Sequence, residues 1–351
     1  MKRVKVGLVG ITGYTGMELL RLLSLHPQLI VTRVTSRSEA DKKVADIHPF
    51  LLNTPLGDLV ISKPDTKDLA GACELVFLAV PHGTAMVMAA ELIAAGLKVV
   101  DLSADFRIKD VGVYEQWYGV NHAAPDLLEE AVYGLPEVYG RLIKKARLVA
   151  NPGCYPTSAI LGLYPALKNR LIKPHGLIID SKSGTTGAGR GAKVGSLFCE
   201  VTDNFKAYNL GKHRHTPEIE QELSNFSSKK ELKVSFSPHL LPINRGILST
   251  MYATLRDGIS IERVFSVYET AYERFPWLRL MPKGELPDVR NVRGTMFCDV
   301  GLVVDQRTGR LIVVAAIDNL CRGASGQAVA NANLMCGLRM DVGIAMPPLV
   351  P

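Results

Sequence analysis

Cys154 stands in a setting that suits a nucleophile, within the stretch Asn-Pro-Gly-Cys-Tyr-Pro-Thr at 151–157. The apolar run Leu148–Ala150 predicts a strand before it, and Pro156 favours the first turn of a helix after it. A thiol at a helix start feels the positive end of the helix dipole, which favours the thiolate. We therefore predict that Cys154 is reactive. The other cysteines are expected to be packing residues: Cys73, Cys199, Cys298, Cys321 and Cys336.

A nucleophilic thiol needs a partner that moves protons, and the stretch 211–219 contains His213 and His215. His215 directly precedes a Thr-Pro-Glu helix start, and Glu218 is close enough in sequence to orient its imidazole. No third ligand of suitable spacing accompanies the two histidines, so no metal site is predicted. The remaining histidines are expected at the surface or in turns: His26, His48, His82, His122, His175 and His239.

A glycine-rich loop, Gly10-Ile11-Thr12-Gly13-Tyr14-Thr15-Gly16, separates a predicted strand from a helical pattern. Glycines let the backbone turn tightly and approach a pyrophosphate, whose charge then lies at a helix N-terminus. The spacing is Gly-x-x-Gly-x-x-Gly, and an ordinary glycine-rich turn is the alternative interpretation. Its position after a strand and before a helix is the context that a dinucleotide-binding loop requires.

The end of the second predicted strand indicates which dinucleotide this loop would bind. An NAD site usually places an acidic residue there for the ribose 2′-hydroxyl. Here Ser36, Arg37 and Ser38 occupy the position, and no acid occurs before Glu39. An arginine flanked by hydroxyl groups suits a 2′-phosphate, so the cofactor is predicted to be NADP. The alternative is that Arg37 is simply solvated.

Two patterns divide the chain near residue 150. The first half alternates apolar runs with helical patterns, which is typical of a parallel sheet covered by helices. The second half has longer strand-like runs separated by turns, which is typical of a mostly antiparallel sheet. We predict an α/β fold, with a Rossmann-like doubly wound parallel sheet domain and an α+β domain built around a mostly antiparallel sheet. The predicted strands are Val4–Val9, Leu29–Thr35, Leu75–Val80, Leu97–Leu102, Leu148–Ala150, Leu177–Ser181, Leu232–Leu240, Ile247–Leu255, Met296–Val304 and Leu311–Ile317.

Composition narrows the class of partner. The 351 residues carry a net charge of +7, which is compatible with nucleic acid, an acidic membrane surface or anionic small molecules. No run of five or six basic residues and no RNA-binding aromatic motif occurs, which disfavours nucleic acid. No apolar run approaches the roughly 20 residues of a membrane span. The expectation is therefore a cytoplasmic enzyme with reduced thiols and an anionic small-molecule substrate, without a nucleic-acid or membrane partner.

A dinucleotide loop, a reactive cysteine and a histidine together suggest oxidoreduction through a thioester. With these in place, the chain resembles the N-acetyl-γ-glutamyl-phosphate reductases of arginine biosynthesis, within the aspartate-semialdehyde-dehydrogenase-like group. The matching stretches occur in the family's order and span nearly the whole chain: GITGYTG at 10–16, AVPHG at 79–83, DLSADFR at 101–107, YGLPE at 133–137, NPGCYPT at 151–157, SKSGTTGAGR at 181–190, HRHTPEI at 213–219 and NLCRGASGQ at 319–327.

The resemblance implies a role for each site residue. Cys154 is the nucleophile and His215 the acid/base, with His213 as the substitute. The pyrophosphate of NADPH is held by Gly10, Thr12, Gly13, Tyr14, Thr15 and Gly16, and the 2′-phosphate by Ser36, Arg37 and Ser38. Pro81 and His82 close over the cofactor, and the nicotinamide side is lined by Ser183, Gly184 and Asn319. The substrate's phosphate and carboxylate are held by Arg107, Ser181, Lys182 and Gln327.

The resemblance also implies how the chain is organised. Residues 1–150 and a returning C-terminal segment, 320–351, form the NADP-binding domain, and 151–319 form the catalytic domain. The sheet of the second domain is expected to mediate a homo-oligomer, either a dimer or a tetramer. The expected activity is the reversible reduction of N-acetyl-L-glutamyl 5-phosphate to the 5-semialdehyde and phosphate.

Several alternatives remain at this stage. The substrate could be aspartyl phosphate or the longer acetylated aminoadipyl phosphate, since one methylene is worth only about 1–3 kcal/mol in a pocket. A phosphorylating triose-phosphate dehydrogenase is disfavoured because its cysteine motif differs. A cysteine hydrolase would leave the glycine loop and Arg37 unexplained, and a non-catalytic NADP sensor would bind the cofactor without turnover.

Overall fold

The computed structural model describes residues 3–228 and 231–350. The chain forms two compact units. The first runs to Pro152 and includes Ala324–Ala345; the second comprises Gly153–Gly323 and the segment that begins at Met346. Relative to the ranges expected from the sequence, 320–323 and 346–350 thus belong to the second unit, and residues 151 and 152 belong to the first. Residues 1, 2, 229, 230 and 351 of those ranges lie outside the described residues.

The first unit contains a six-stranded, fully parallel sheet with the strand order β2-β1-β3-β4-β6-β5. Its strands are rich in valine and leucine and buried for most of their length, as parallel strands covered on both faces must be. The order reverses direction at β1, so the loop after β1 opens at the switch point, where open α/β sheets bind ligands. The strands are β1 (Val4–Val9), β2 (Leu29–Thr35), β3 (Leu75–Leu78), β4 (Lys98–Asp101), β5 (Val132–Tyr133) and β6 (Leu148–Ala150).

Helices connect these strands. The second turn of helix α1 begins a buried stripe of leucines, and its N-cap residue is Gly13. Asp65 caps α3 by accepting hydrogen bonds from two backbone N–H groups, at Lys67 and Asp68. The helices are α1 (Tyr14–Leu23), α2 (Val44–Ile47), α3 (Thr66–Ala72), α4 (Ala85–Ala94), α5 (Val111–Tyr118), α6 (Asp126–Glu130) and α7 (Pro136–Ile143).

The second unit contains a seven-stranded sheet with the order β11-β12-β13-β10-β7-β9-β8. Four of its pairings are antiparallel, while β7 with β9 and β11 with β12 are parallel. Strand β10 alternates buried and half-buried residues along its whole length, as in a sheet with one face on a core. The strands are β7 (Leu177–Ser183), β8 (Lys206–Ala207), β9 (Val234–Leu240), β10 (Ile247–Thr254), β11 (Leu278–Leu280), β12 (Cys298–Asp305) and β13 (Arg310–Ile317).

Helix α8 (Cys154–Lys168) forms the centre of the second unit's core, since all residues from Tyr155 to Leu167 are buried. Tyr268 and Tyr272 of α11 donate hydrogen bonds to α8 carbonyls at 2.7 Å each. The other helices of this unit are α9 (Phe198–Val201), α10 (Thr216–Ser224) and α11 (Ile261–Tyr272). A core helix that starts at Cys154 gives the thiol a rigid base.

The last helix, α12 (Gly326–Met335), lies in the first unit and is buried at every residue. Its buried Asn331 donates to the carbonyl of Gly134 at 2.9 Å and to Asn151 Oδ1 at 3.0 Å. A Cβ on Gly134 would lie 2.4 Å from Asn331 Nδ2, so only glycine fits there. This contact accounts structurally for the Gly in the 133–137 motif.

The predicted fold class is confirmed, with one all-parallel sheet and one mostly antiparallel sheet. The predicted strands are present, and their ends shift by up to two residues. No helix within the described ranges 3–228 and 231–350 is long and apolar enough to cross a bilayer. The same residues contain no group of three or more His, Cys, Asp and Glu side chains placed to hold a metal ion.

Candidate active site

Cys154 is the first residue of α8, and its N-cap residue is Gly153 in extended conformation. The cysteine is partly exposed, whereas the rest of the helix's first two turns is buried. No side chain among the described residues caps the helix. The thiol therefore lies at the positive end of a 15-residue helix, in the position predicted for a nucleophile.

His215 packs directly against the turn that carries the cysteine. A Cβ built on Gly153 would lie 2.6 Å from His215 Nε2 and 2.9 Å from two ring carbons. Only glycine at 153 lets the imidazole approach this closely. His215 is the N-cap of α10, whose first turn contains Pro217, as the sequence predicts.

Glu218, one turn further along α10, bonds to the same backbone. Its carboxylate is fully buried and accepts a hydrogen bond from the N–H of Gly153 at 2.8 Å. The sequence predicts that Glu218 orients a histidine; the structure adds that it also holds the turn before Cys154. Charge-assisted bonds of this kind are about twice as strong as neutral ones.

A second turn, 318–323, closes on Cys154 from the other side. A Cβ on Gly323 would lie 2.7 Å from Cys154 Cβ, so the glycine is required by close packing. The turn is organised by Asp318, which is fully buried and accepts bonds from the N–H groups of Leu320 and Cys321. Arg245 neutralises this carboxylate at 2.9 Å. Sequence reasoning missed both Asp318 and Arg245.

His213 lies beside His215, with ring centroids 4.9 Å apart. Its Nδ1 accepts a hydrogen bond from the backbone N–H of His215 at 3.1 Å, so this nitrogen carries no proton. Burial, with the positive charge of Arg214 adding to it, lowers the pKa of His213 to about 4. A histidine held neutral in this way supports its neighbour's backbone, which favours His215 over His213 as the proton carrier.

Two tyrosines stand next to this histidine pair. The hydroxyl groups of Tyr155 and Tyr208 are 2.8 Å apart, and the Tyr155 ring meets His213 and His215 edge to face. Burial raises the pKa of Tyr208 to about 12 and raises that of Tyr155 further still. Both phenols stay protonated near neutral pH and serve as hydrogen-bond donors. Tyr155 lies within the 151–157 motif, but no local sequence pattern indicates that it pairs with Tyr208, 53 positions away.

The predicted ligands on β7 differ in their surroundings. Lys182 is half-buried and pairs with Asp180 at 3.0 Å. Ser181 is fully buried, and its hydroxyl joins those of Ser249 and Ser158 in a chain with 2.7 and 2.8 Å spacings. Ser181 thus lies on the core face of the strand, and Lys182 on the opposite one.

The three residues predicted to face the nicotinamide lie close together at the end of β7. Ser183 Oγ donates to the carbonyl of Gly184 at 3.0 Å. Asn319 accepts from the N–H of Gly246 at 2.7 Å and donates to Thr186 Oγ1 at 3.0 Å. The 3₁₀ turn Thr185–Ala188 lies between these groups. The structure therefore joins the motif at 181–190 to Asn319 within the second unit.

In the first unit, the glycine loop joins β1 to α1 as predicted. Gly10 has a φ of +91°, and a Cβ there would lie 2.3 Å from the carbonyl of Ala79. A Cβ on Gly16 would lie 2.3 Å from the carbonyl of Gly10, whereas Gly13 has no atom within 4 Å of its Cβ position. Among the described residues no side chain caps α1. The loop is thus closely packed at Gly10 and Gly16 and open at Gly13, next to the start of α1. This arrangement fits a pyrophosphate.

The end of β2 lies against this loop, because the N–H groups of Gly10 and Ile11 both donate to the carbonyl of Thr35, at 3.0 and 3.4 Å. Ser36 is buried, and the following Arg37 and Ser38 are exposed. Ser36 Oγ accepts from the N–H of Ser38 at 3.3 Å. The predicted pyrophosphate and 2′-phosphate ligands are thus adjacent, and the exposed guanidinium is accessible to an anion.

Pro81 and His82 form an exposed turn after β3. Asp105 organises this turn, since it is fully buried and accepts bonds from the N–H groups of Gly83 and Ala85 at 2.8 and 3.1 Å. Tyr114 donates to the same carboxylate at 2.8 Å. The motif at 101–107 therefore supports the turn at 81–85, a role that the sequence did not reveal.

Two predicted substrate ligands lie in the first unit. Arg107 is 5% exposed, and its guanidinium donates to the carbonyls of Asn151 and Leu102 at 2.7 and 3.0 Å. Gln327 is fully buried at the start of α12. Arg107 is held rigidly by backbone oxygens at the end of β6, immediately before the chain leaves this unit.

The expectations for the remaining histidines and cysteines need correction. His26, His48 and His122 lie in connecting segments, as the turn alternative predicts, but they are 5%, 2% and 7% exposed, so a surface role is wrong for them. Each bonds to the backbone or to another buried side chain through at least one ring nitrogen. Cys199 is exposed, so its predicted packing role is also wrong, whereas Cys73, Cys298 and Cys321 are buried as expected.

Comparison with known proteins gives a consistent result. Residues 5–146 match the model of the semialdehyde dehydrogenase NAD binding domain, and 154–319 match that of the semialdehyde dehydrogenase dimerisation domain. A relative named N-acetyl-gamma-glutamyl-phosphate reductase from Desulfotalea psychrophila is 52% identical over 99% of this chain and 100% of its own. One of the same name from Pelotomaculum thermopropionicum is 53% identical over 99% of both chains.

Solved structures with this fold are more distant in sequence. Aspartate semialdehyde dehydrogenase II from Vibrio cholerae superposes with a TM-score of 0.72 at 16% identity, covering 96% of this chain and 99% of that one. The aspartate semialdehyde dehydrogenase with NADP from Candida albicans gives a TM-score of 0.68 at 17% identity, covering 95% and 99%. At these identities the likeness concerns the fold.

Proposed function

Since this chain belongs to the N-acetyl-gamma-glutamyl-phosphate reductase family of semialdehyde dehydrogenases, we propose that Cys154 is its nucleophile and His215 its proton carrier. The reaction is the NADPH-dependent reduction of N-acetyl-L-glutamyl 5-phosphate to N-acetyl-L-glutamate 5-semialdehyde and phosphate, in arginine biosynthesis. One observation carries the assignment: the uncapped start of α8 places Cys154 next to Gly153, against which His215 packs.

The cofactor is NADP, and the glycine loop with the end of β2 provides the groups to hold it. The proposed pyrophosphate ligands are Gly10, Thr12, Gly13, Tyr14, Thr15 and Gly16, and the 2′-phosphate ligands are Ser36, Arg37 and Ser38. Pro81, His82, Ser183, Gly184 and Asn319 are proposed around the rest of the cofactor. When bound, NADPH supplies a hydride to the acyl carbon of the substrate.

The thiolate of Cys154 attacks the acyl carbon, a carbon–sulfur bond forms, and the carbon–oxygen bond to phosphate breaks. The dipole of α8 favours the thiolate before this step, and the N–H groups of its first turn face the oxygen that becomes negative. After reduction of the thioester, the carbon–sulfur bond breaks and the aldehyde leaves with the thiolate restored. Each turnover thus converts one acyl phosphate, one NADPH and one proton from solvent into one aldehyde, one phosphate and one NADP.

His215 takes the thiol proton and returns it to the departing phosphate. Its backbone N–H donates a hydrogen bond to His213 Nδ1, and its ring packs against Gly153. Imidazole suits this task because its ordinary pKa lies near neutral pH. Glu218 and Asp318 keep the two turns around Cys154 in place, so that thiol and imidazole meet the substrate in a fixed geometry.

Arg107, Ser181, Lys182 and Gln327 are the proposed substrate ligands. Lys182 has the strongest support, since its ammonium is half-buried and its charge complements a phosphate or carboxylate. Ser181 is buried behind it, bonded to Ser249, which supports a role in fixing β7 rather than in direct contact. Arg107 brings a preorganised guanidinium, the group best matched to carboxylate and phosphate.

We further propose that the chain assembles as a homo-oligomer and works in the cytoplasm. The support for assembly is the match of 154–319 to a dimerisation domain. Size-exclusion chromatography with light scattering measures the assembly directly, and a monomer at micromolar concentration would contradict it.

The experiment that tests the function follows NADPH absorbance with purified protein. N-acetylglutamyl phosphate should oxidise NADPH, and the semialdehyde with phosphate and NADP should regenerate it. Aspartyl phosphate, tested beside it, should be turned over far more slowly. Cys154→Ser should abolish turnover and leave NADPH binding unchanged, whereas Cys199→Ser, at an exposed cysteine, should behave as wild type. Near-full activity in Cys154→Ser would overturn the proposal.

A further inference from the structure

His48 is a buried histidine that the proposed mechanism does not use. It follows α2 and is 2% exposed. Its Nε2 lies 2.9 Å from the carbonyl oxygen of Ile11, inside the glycine loop and 37 residues away in sequence. A carbonyl can only accept, so Nε2 carries a proton and donates it to this bond.

The backbone of His48 is itself fixed, so that the imidazole reaches the loop from a rigid base. Its N–H donates to the carbonyl of Val44 at 2.8 Å, and its own carbonyl accepts from Leu51 at 3.0 Å. The ring also meets Phe50, with centroids 5.8 Å apart. Both the position and the orientation of the donor are therefore set before any ligand arrives.

The contact determines how one peptide unit of the loop is oriented. In a trans peptide the carbonyl of Ile11 and the N–H of Thr12 point in opposite directions. The bond from His48 holds the carbonyl, and therefore also fixes the direction of the Thr12 N–H. The preceding N–H groups, of Gly10 and Ile11, are both committed to Thr35.

We infer that His48 is a positioning residue for the cofactor: it fixes the Ile11–Thr12 peptide so that the loop is preorganised for the pyrophosphate. The inference rests on the proposed function, in which this loop holds NADP. Without the His48 bond, the peptide plane can rotate about its flanking bonds, and a buried carbonyl loses its donor. The loop must then be reordered each time the cofactor binds, which weakens binding.

The test compares His48→Phe, which keeps an aromatic ring but removes the donor, with His48→Gln, whose amide reaches a similar distance. We expect the dissociation constant for NADPH to rise about tenfold in His48→Phe, and to recover partly in His48→Gln. The rate constant kcat at saturating NADPH should stay near the wild-type value, because the hydride acceptor site is unchanged. Phe50→Leu, which alters only packing beside the ring, is the matched control and should bind NADPH as wild type.

A second ligand separates positioning from general damage. Adenosine 2′-monophosphate carries the 2′-phosphate but no pyrophosphate, so its affinity should be the same in wild type and His48→Phe. Equal loss of affinity for both ligands, or wild-type NADPH affinity in His48→Phe, would overturn the inference. If His48→Phe does not fold, His48→Asn, whose shorter amide falls short of the carbonyl, must show the same selective loss. A wild-type protein that does not bind NADPH would instead refute the proposed function.

Discussion

The buried carboxylate of Glu218 accepts a hydrogen bond from the backbone N–H of Gly153, the residue before Cys154, at 2.8 Å. The two residues are 65 positions apart, in the first turn of α10 and at the start of α8. The imidazole of His215 packs against this same glycine, in the space that a Cβ would occupy. One backbone turn thus links the proposed nucleophile, the proposed proton carrier and a buried acid.

Replacing Glu218 by alanine leaves the N–H of Gly153 without its acceptor and lets the turn shift. We expect kcat/KM to fall by about 10- to 100-fold, because a misplacement of about 1 Å has effects of this size. Glu218→Gln keeps an acceptor oxygen and should recover most of the activity. Steady-state kinetics and the rate of Cys154 alkylation by iodoacetamide measure the effect.

The matched control is Glu220→Ala, on the same helix, which removes a carboxylate bonded to Lys233 and to the N–H of Val234. It should leave kcat/KM close to the wild-type value, because its partners lie on β9 and immediately before it, away from the turn that precedes Cys154. Equal losses of kcat/KM in Glu218→Ala and Glu220→Ala would show that activity depends on the general integrity of α10 and not on the bond to Gly153.

Gly153 itself offers a steric test. In Gly153→Ala the new methyl carbon would lie 2.6 Å from His215 Nε2, so the imidazole must move. We expect kcat to fall by at least tenfold with NADPH affinity unchanged. Gly71→Ala, where no atom lies within 4 Å of the added carbon, should retain full activity. Wild-type kcat in Gly153→Ala would contradict the placement of His215 in the reaction.

The sequence predicted the individual candidate residues of this site better than the contacts that hold them together. Cys154 and His215 could be identified because a cysteine after Pro-Gly and a histidine before Thr-Pro-Glu each carry a local helix-start signal. Gly153 and Gly323 matter through contacts with His215 and Cys154 that lie 62 or more positions away, and Asp318 also pairs with Arg245, 73 positions away. No local pattern encodes such contacts. The His48–Ile11 bond was missed for the same reason, and a surface or turn role was predicted for His48. The longer strands, by contrast, follow directly from apolar runs, whereas the short strands β5, β8 and β11 were not predicted.

The pKa of His213, about 4 owing to burial and to Arg214, gives a pH prediction. The folded-state pKa lies below the ordinary value of 6.5, so the neutral ring stabilises the fold above pH 6.5, and this stabilisation is lost as pH falls through 6.5 toward 4. His213→Asn should therefore lose less thermal stability between pH 7 and pH 5 than wild type does, as measured by scanning calorimetry.

The pH profile of kcat/KM separates the two histidines. Since His213 stays neutral between pH 5.5 and 8, an inflection in that range should persist in His213→Asn. His215→Asn should remove it together with most of the activity. Loss of the inflection in an active His213→Asn enzyme would make His213 the proton carrier.

Arg37 should determine the preference between NADPH and NADH. It is exposed at the end of β2, and its charge is matched to the 2′-phosphate that only NADPH carries. In Arg37→Leu we expect the ratio of kcat/KM values, NADPH over NADH, to fall by at least tenfold, mainly through KM for NADPH. Arg33→Leu, on the same strand but paired with Asp68 at 2.9 Å, should leave the ratio unchanged. An unaltered ratio in Arg37→Leu would mean that this guanidinium is simply solvated.

Asp101 makes the fold of the first unit sensitive to pH. Burial, with the nearby charge of Asp105 adding to it, raises the pKa of Asp101 to about 7, although Ser103 donates to both carboxylate oxygens. Because the pKa is raised in the folded state, the contribution of Asp101 to the free energy of unfolding is greatest below pH 4 and is lost as pH rises through 7. Asp101→Asn mimics the protonated form, so its melting temperature relative to wild type should increase from pH 5 to pH 7 and then level off. Asp58→Asn, at an exposed pair with Lys43, should show a constant difference over the same range. A difference for Asp101→Asn that is equally constant would show that the carboxyl stays ionised in the fold.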